Sequence, residues 1–348
     1  MSELIARAVQ VRREASPTTG EGMRDTLGRR VDYLRISVTD KCNLRCVYCM
    51  PLAGLTWLRR DDLLTYEEIT EVVRVMAGMG LRRVRLTGGE PLVRRDLSTL
   101  VQMLAAVPGI EDIALSTNAV LLAPLAAELR QAGVARINIS LDSLRPDRVD
   151  ELARRPGSFD QILAGIVAAE QAGFDPIKIN CVVMRGRNDD EIAEFAAITR
   201  RRPWHVRFIE VMPVAGSLEI SAREFVSAPE MLERLHALDR LEPVAGPAGN
   251  GPATYFRFPD AVGTVGVITP MSHNYCDRCN RMRLTADGRL RPCLFGDLDT
   301  PLRDPLRAGL SLEPLIRHTL AVKPERHHLV QGQAVGSGGL VALSQVGG

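Results

Sequence analysis

The sequence predicts an α/β fold, a partial TIM-type (β/α)6 barrel followed by a smaller C-terminal region, and three observations lead there. From Tyr33 onwards, short runs rich in β-branched residues alternate with longer amphipathic runs. Six such short runs follow one another before the rhythm breaks, which implies parallel βα units curling on themselves. After Met212 the chain turns to Pro- and Gly-rich stretches such as LEPVAGPAGNGPATYF, so a second region starts near Pro213.

Each element follows from its residues. Residues 1–29 carry Thr, Gly, Glu and Arg without a sustained apolar period and read as a mobile extension. Strands are expected at YLRISV, RRVRLT, EDIALST, ARINISL, PIKINCVVM and HVRFIEV, which are short and dense in Val, Ile, Thr and Phe. Helices are expected at DLSTLVQMLAAV, LAPLAAELRQAG, QILAGIVAAEQAG and DEIAEFAAITRR, where apolar residues return every three or four positions. Residues 30–212 would form the barrel core and 213–348 the C-terminal region. In such a barrel, function gathers in loops at the C-terminal ends of the strands. Every motif below is expected at that end.

With 348 residues, 45% hydrophobic and 25% charged, the chain can bury a large core and is not disordered. Its 44 Lys+Arg against 42 Asp+Glu leave a net charge of +2, too little to attract nucleic acid globally. Any anion site must therefore be a local basic patch. No apolar stretch reaches the roughly 18–20 residues of a membrane span, and the N-terminus lacks a signal-peptide core, so a cytoplasmic protein without membrane attachment is expected. Six of the seven Cys fall into two local groups, which suits metal sites in a reducing compartment. Cys181, inside KINCVVM, reads as a buried core thiol.

Cys42, Cys46 and Cys49 form a CxxxCxxC group in DKCNLRCVYCM. Three thiolates can ligate three irons of a cube and leave the fourth iron open for a small chelating ligand. Structural zinc wants four protein ligands, and nothing between Val31 and Trp57 supplies a fourth. A second motif is TGGEP, Thr87 to Pro91, whose paired glycines would let the backbone approach a ligand and whose Glu90 offers an acceptor. A third, SHNYCDRCNRMRLTADGRLRPC, holds Cys276, Cys279 and Cys293 beside Arg281 and Arg283. The two arginines alternate along a strand-like run, share one face and suit phosphate. His273 could complete a Cys3His structural zinc site there, and the spacing leaves that reading open beside an iron cluster.

CxxxCxxC with Tyr48, TGGEP, the STN turn, NISLDSL, CDRCNRMRLTADGRLRPCLFGD and the terminal GlyGly together resemble the GTP 3′,8-cyclase family of molybdenum cofactor biosynthesis. These are radical S-adenosylmethionine (SAM) enzymes with two [4Fe–4S] clusters. The resemblance runs from about Asp32 to Gly348. Ala119 departs from it, standing where the family usually has Gly after the TN turn; a φ > 0 conformation there is costly for Ala. The long N-terminal extension is the other departure.

The resemblance implies site residues. Cys42, Cys46 and Cys49 would hold the first cluster, whose open iron chelates SAM, with Tyr48, Gly89, Ser140 and Met212 as SAM contacts. Cys276, Cys279 and Cys293 would hold the second cluster, whose open iron binds guanine. Arg35, Arg85, Ser116, Lys178, Arg281 and Arg283 match the GTP contacts, and the Gly347–Gly348 tail would reach into the active site. Plain core packing is the competing reading for the strand residues, Met212 above all.

The implied reaction opens with a 5′-deoxyadenosyl radical that takes the ribose 3′ hydrogen of GTP; the carbon radical then attacks C8. The partners implied are GTP, an electron donor of flavodoxin or ferredoxin type, and a cyclic pyranopterin monophosphate synthase downstream. The oligomeric state stays open, a homodimer included. The alternative reading is a peptide-modifying radical SAM enzyme with an auxiliary cluster. An iron–sulfur electron carrier and a zinc-stabilised binding protein fit less of the chain.

Overall fold

The six short runs form strands β1 (Tyr33–Ser37), β2 (Arg83–Thr87), β3 (Asp112–Thr117), β4 (Arg136–Ser140), β5 (Ile177–Val183) and β6 (His205–Glu210) of the computed structural model. They lie side by side in chain order, all parallel. The structure describes residues 22–51, 54–214, 217–249, 251–327 and 343–347. Six helices cover the sheet: α1 (Tyr66–Gly78), α2 (Leu97–Ala105), α3 (Ala126–Ala132), α4 (Pro146–Ala153), α5 (Ser158–Gln171) and α6 (Ile192–Arg201).

Two of these helices, α1 and α4, are additions to the expected list. The α1 start is fixed by a capping box in which Thr65 Oγ1 accepts from Glu68 N (3.2 Å) and Glu68 Oε2 accepts from Thr65 N (2.8 Å). Its inner face buries Ile69, Val72, Val73 and Met76. The core lies between sheet and helices, where Leu34, Ile36, Leu86, Ile139, Ile179 and Phe208 pack. Cys181 belongs to this core, as expected.

The C-terminal region extends the same sheet at both edges. On one side β9 (Thr264–Ile268) pairs parallel with β6, and β8 (Thr254–Arg257) and β7 (Glu242–Val244) follow antiparallel. On the other, β10 (Arg281–Leu284) pairs parallel with β1, and β11 (Arg289–Arg291) and β12 (Thr300–Pro301) follow antiparallel. The parallel stretch thus consists of the six barrel strands plus one more at each edge. Pro213 marks a change of rhythm rather than a break in the sheet. Beyond it lie α7 (Leu218–Arg223), α8 (Ala228–His236), α9 (Arg303–Arg307), α10 (Glu313–Ala321) and the short α11 (Leu343–Val346).

Most of the expected mobile extension, residues 1–21, lies outside the described residues. The remainder, 22–29, is tied to the fold at Met23, Asp25 and Arg29 while Arg24, Thr26, Leu27 and Gly28 are exposed, which corrects the expectation for that part. Met23 is buried, Arg24 bridges Arg30, and Arg29 donates to Asp25 and to the carbonyls of Cys276, Pro324 and Glu325.

Candidate functional site

The first cysteine group follows β1 at the C-terminal edge of the sheet, and its loop is braced from three sides. TGGEP supplies one. Gly89 N donates to Thr39 O and Glu90 N to Lys41 O, both at 2.9 Å. A Cβ on Gly89 would lie 2.4 Å from Lys41 O and 2.6 Å from Asp40 O. The glycines are therefore demanded by close approach to the cysteine loop's own backbone, beyond any ligand contact. Glu90 is also an internal tie. It is 1% exposed, and its carboxylate accepts from Leu92 N (3.0 Å), Thr117 Oγ1 (2.7 Å) and Asn118 N (2.7 Å), joining TGGEP to the STN turn. Burial pushes Glu90 up to about 7.

The second brace is the end of α4, where Leu152 O and Ala153 O accept from Val47 N and Arg45 N. The third is Asp142. Its Oδ2 accepts from the Tyr48 hydroxyl (2.8 Å) and its Oδ1 from Val182 N (2.9 Å), so the loop's last turn is tied to the ends of β4 and β5. Burial pushes Asp142 up to about 6. Gly89, Ser140 and Met212 follow or end β2, β4 and β6 at this same edge. In the STN turn Ala119 takes φ 62, so this chain places a methyl-bearing residue in the left-handed region, at a cost of about 1–2 kcal/mol.

The thiols of this loop are free of disulfides and hard to ionise. Burial pushes Cys42 up to about 11 and Cys49 up to about 12; Cys46 goes well above the usual range, raised first by burial and then by Asp142, Cys49 and Cys42. Leu44 N points at Cys42 Sγ (3.4 Å). Such thiols hold their protons until a metal displaces them.

The second cysteine group lies elsewhere than expected. Cys276 and Cys279 precede β10, and β10 runs parallel to β1, so they sit at the N-terminal edge of the sheet. Antiparallel β11 returns the chain to that edge and delivers Cys293. The expectation that every motif sits at the C-terminal ends is thus wrong for this one, because a strand entered from the edge carries its chemistry ahead of it. Burial pushes Cys279 up, but the charges of Arg281 and Lys323 outweigh it and bring the thiol down to about 7. His273 is exposed, and its carbonyl accepts from Thr269 Oγ1 (2.7 Å). Among the described residues, no three His, Cys, Asp or Glu side chains converge as the ligands of a single metal ion would. Ligands of a cube bind different irons and need no such convergence. Both groups therefore fit a four-iron cluster with one open iron: three free thiols whose charges act on one another, with an N–H or an ammonium at sulfur.

Between the two edges, most of the alternate strand residues on the face away from the helix-covered core are polar, among them Arg35, Arg85, Ser116, Asn138, Lys178 and Arg207. Arg35 stands in register with Arg85 on one side and Arg283 on the other. Arg85 donates to Tyr33 Oη and to Ser116 Oγ (3.2 Å). Arg281 lies over the Tyr275 ring, 5.0 Å from its centroid. Lys178, beside Asn138 on the neighbouring strand, donates to Ala248 O. The cations strain one another. Burial pushes Lys178 down to about 6, helped by Arg207, Arg136 and Arg85; burial pushes Arg283 down to about 10, helped by Arg281. Among the described residues, Arg85, Lys178, Arg207 and Arg283 enter no ion pair with a carboxylate, and such a set calls for an anion.

The C-terminal tail enters this lumen. Val346 O and Gly347 O accept from Arg283 Nη1, and the Ser344 N–H reaches the Cys49 thiol. Gly347 has φ +70, and a Cβ on it would lie 2.7 Å from Thr87 Cγ2. Gly348 lies outside the described residues.

Sequence reasoning missed Arg207, Arg136, Asp142, Tyr33 and Tyr275. Arg207 is 3% exposed, and its Nε and Nη2 have no hydrogen-bond partner. A signal was present: parallel strands covered on both faces read as continuous apolar runs, whereas RISV, RVRLT, INIS, KIN and VRF are polar at every second position. That pattern marks a sheet whose inner face lines a polar lumen.

Comparison with known proteins gives the family. Residues 36–198 match the radical SAM superfamily and residues 204–329 the family described as Molybdenum Cofactor Synthesis C. The GTP 3′,8-cyclase of Moorella thermoacetica is 48% identical over 329 residues, covering 94% of this chain and 100% of the relative. That of Pelotomaculum thermopropionicum is 50% identical over 314 residues, covering 89% and 96%. Among solved structures, Streptococcus suis SuiB matches with a TM-score of 0.59 at 15% identity, over 83% of this chain and 68% of SuiB, a likeness of fold alone. With both domains matched and relatives of this identity spanning nearly its whole length, the chain belongs to the radical SAM superfamily and, within it, to the GTP 3′,8-cyclase family.

Proposed function

We propose that this protein cyclises GTP to (8S)-3′,8-cyclo-7,8-dihydroguanosine 5′-triphosphate, the first step of molybdenum cofactor biosynthesis. The observation that carries the reading is a lumen in which Arg85, Lys178, Arg207 and Arg283 are buried and, among the described residues, form no ion pair with a carboxylate, lying between two cysteine groups at opposite edges of one sheet. Cys42, Cys46 and Cys49 would hold one four-iron cluster and Cys276, Cys279 and Cys293 the other. When bound, the first cluster and SAM supply a one-electron cleavage that yields a 5′-deoxyadenosyl radical. The chain's own work is to position and to shield. Gly89, Ser140, Met212 and Tyr48, held by Asp142, line the end where SAM would sit. Arg35, Arg85, Ser116, Lys178, Arg281 and Arg283 would bind GTP, with the triphosphate as the anion opposite these cations. Arg207, with two unpartnered nitrogens, belongs to the same set. Gly347, on Arg283, supports a tail that works at the substrate.

The electron donor would be of flavodoxin or ferredoxin type, and the product would pass to a cyclic pyranopterin monophosphate synthase. A cytoplasmic setting suits both. Among the described residues no helix is long and apolar enough to cross a membrane. The reading divides the chain into a barrel core over 30–212 and a C-terminal region over 213–348. The peptide-modifying alternative is not favoured, since relatives matched over nearly the whole chain are named for GTP cyclisation. Cys46→Ser and Cys279→Ser test the division of labour. Cys46→Ser should end SAM cleavage, whereas Cys279→Ser should spare uncoupled SAM cleavage and stop cyclisation. Equal loss of both activities in the two variants would contradict it.

A further inference from the structure

Lys323 follows α10 and is 5% exposed, yet among the described residues it pairs with no carboxylate. An ammonium has three donors, and here each has a partner: Arg281 O (2.8 Å), Pro292 O (2.6 Å) and Cys279 Sγ (3.6 Å). Two of the three are neutral carbonyls. A buried cation with no anion is costly, so its counter-charge must come from the sulfur side.

The contacts are also placed to hold the cysteine group together. Cys279 and Cys293 are far apart in sequence, on the two sides of the β10–β11 turn. Lys323 reaches the first at its sulfur and the second through the carbonyl of Pro292, the residue before it. Cys276 is held from the other flank, where Arg29 Nη1 donates to its carbonyl (2.8 Å). We infer that Lys323 is the positioning residue and built-in counter-ion of the second cluster, clamping the Cys279 and Cys293 segments in one geometry and setting the charge beside the Cys279 sulfur. A fixed cation next to a cluster sulfur favours the reduced, more negative cluster, because net charge and hydrogen bonds to sulfur set such potentials.

This inference rests on the two-cluster reading, and the iron count of the unmodified protein tests that reading separately. If the unmodified protein holds about four irons, the two-cluster reading fails, whatever Lys323 does. Given about eight, the test compares Lys323→Gln, which removes the charge, with Lys323→Arg, which keeps it, in the reconstituted full chain. Iron content, far-UV circular dichroism and an EPR-monitored redox titration are measured, with the second cluster identified by its absence in Cys279→Ser. The expected result for Lys323→Gln is a second cluster whose reduction equilibrium moves at least tenfold toward the oxidised form, about 59 mV for one electron, with Lys323→Arg close to the unmodified protein. Loss of the second cluster alone in Lys323→Gln, with circular dichroism unchanged and the cluster restored in Lys323→Arg, supports the inference equally. Eight irons with an unshifted second titration in Lys323→Gln would overturn it. So would equal loss of the cluster in Lys323→Gln and Lys323→Arg, which would make the site one of shape rather than charge.

Discussion

Replacing Gly89 by Ala puts a methyl group against three backbone atoms of the first cysteine loop. The added Cβ would lie 2.4 Å from Lys41 O and 2.6 Å from both Asp40 O and Lys41 C, where ordinary contacts begin at 3.4 Å. The loop must retreat by about 1 Å, and none of the three atoms is the free end of a side chain. Overpacking of this kind costs about 1–3 kcal/mol. The retreat also stretches the Gly89 N–Thr39 O and Glu90 N–Lys41 O bonds, each worth about 0.5–1.5 kcal/mol. Together these predict a loss of about 2–6 kcal/mol, concentrated in the loop that carries Cys42. Urea denaturation followed by circular dichroism, with iron counting after reconstitution, reads both effects. Gly78→Ala is the control: its Cβ meets nothing within 4 Å, and the change should be neutral or slightly stabilising. A Gly89→Ala protein that unfolds at the unmodified urea midpoint and keeps all its iron would refute the packing argument.

Three other outcomes are expected. Lys178, held down to about 6 in the free protein, should gain a proton when a triphosphate arrives; GTP affinity should then fall as pH rises above 6, with proton uptake visible by calorimetry in buffers of different ionisation enthalpy. Binding at pH 7.5 without proton exchange would remove Lys178 from the anion site. Glu90, raised by burial from 4.5 to about 7, binds its proton more tightly folded than unfolded, so its contribution to stability is full below pH 4.5 and is lost as pH rises through 7. Glu90→Gln should therefore flatten the stability–pH curve across that window, by up to roughly 3 kcal/mol, and parallel curves would show that the group is ionised throughout. Gly347→Ala, strained at φ +70 and pressed on Thr87, should keep iron content and fold while cutting cyclised product sharply; full product formation would make the tail a bystander.

What could be read from the sequence was local. The six barrel strands carry their own periodicity, and each cysteine group announces its chemistry within a few residues. The α1 capping box at Thr65 and Glu68 is equally local, three residues apart in TYEE. Non-local facts were not legible. The partner that makes Gly89 indispensable is the backbone of Lys41, on another strand connection. β10 pairs with β1 across most of the chain, Tyr33 against Arg281, and only that pairing moves the second cysteine group to the N-terminal edge. Arg207 and Asp142 gain meaning from a curved sheet that turns one strand face into a lumen. Local pattern names the chemistry; long-range pairing decides which residues share it.

The central claim is that a hydrogen atom leaves C3′ of GTP inside this lumen. The most direct measurement is an anaerobic incubation of the reconstituted protein with SAM, dithionite and GTP deuterated at C3′, with mass spectrometry of the 5′-deoxyadenosine released. The account predicts 5′-deoxyadenosine heavier by one deuterium, formed together with the 3′,8-cyclised nucleotide. Unlabelled 5′-deoxyadenosine with GTP recovered intact would contradict it.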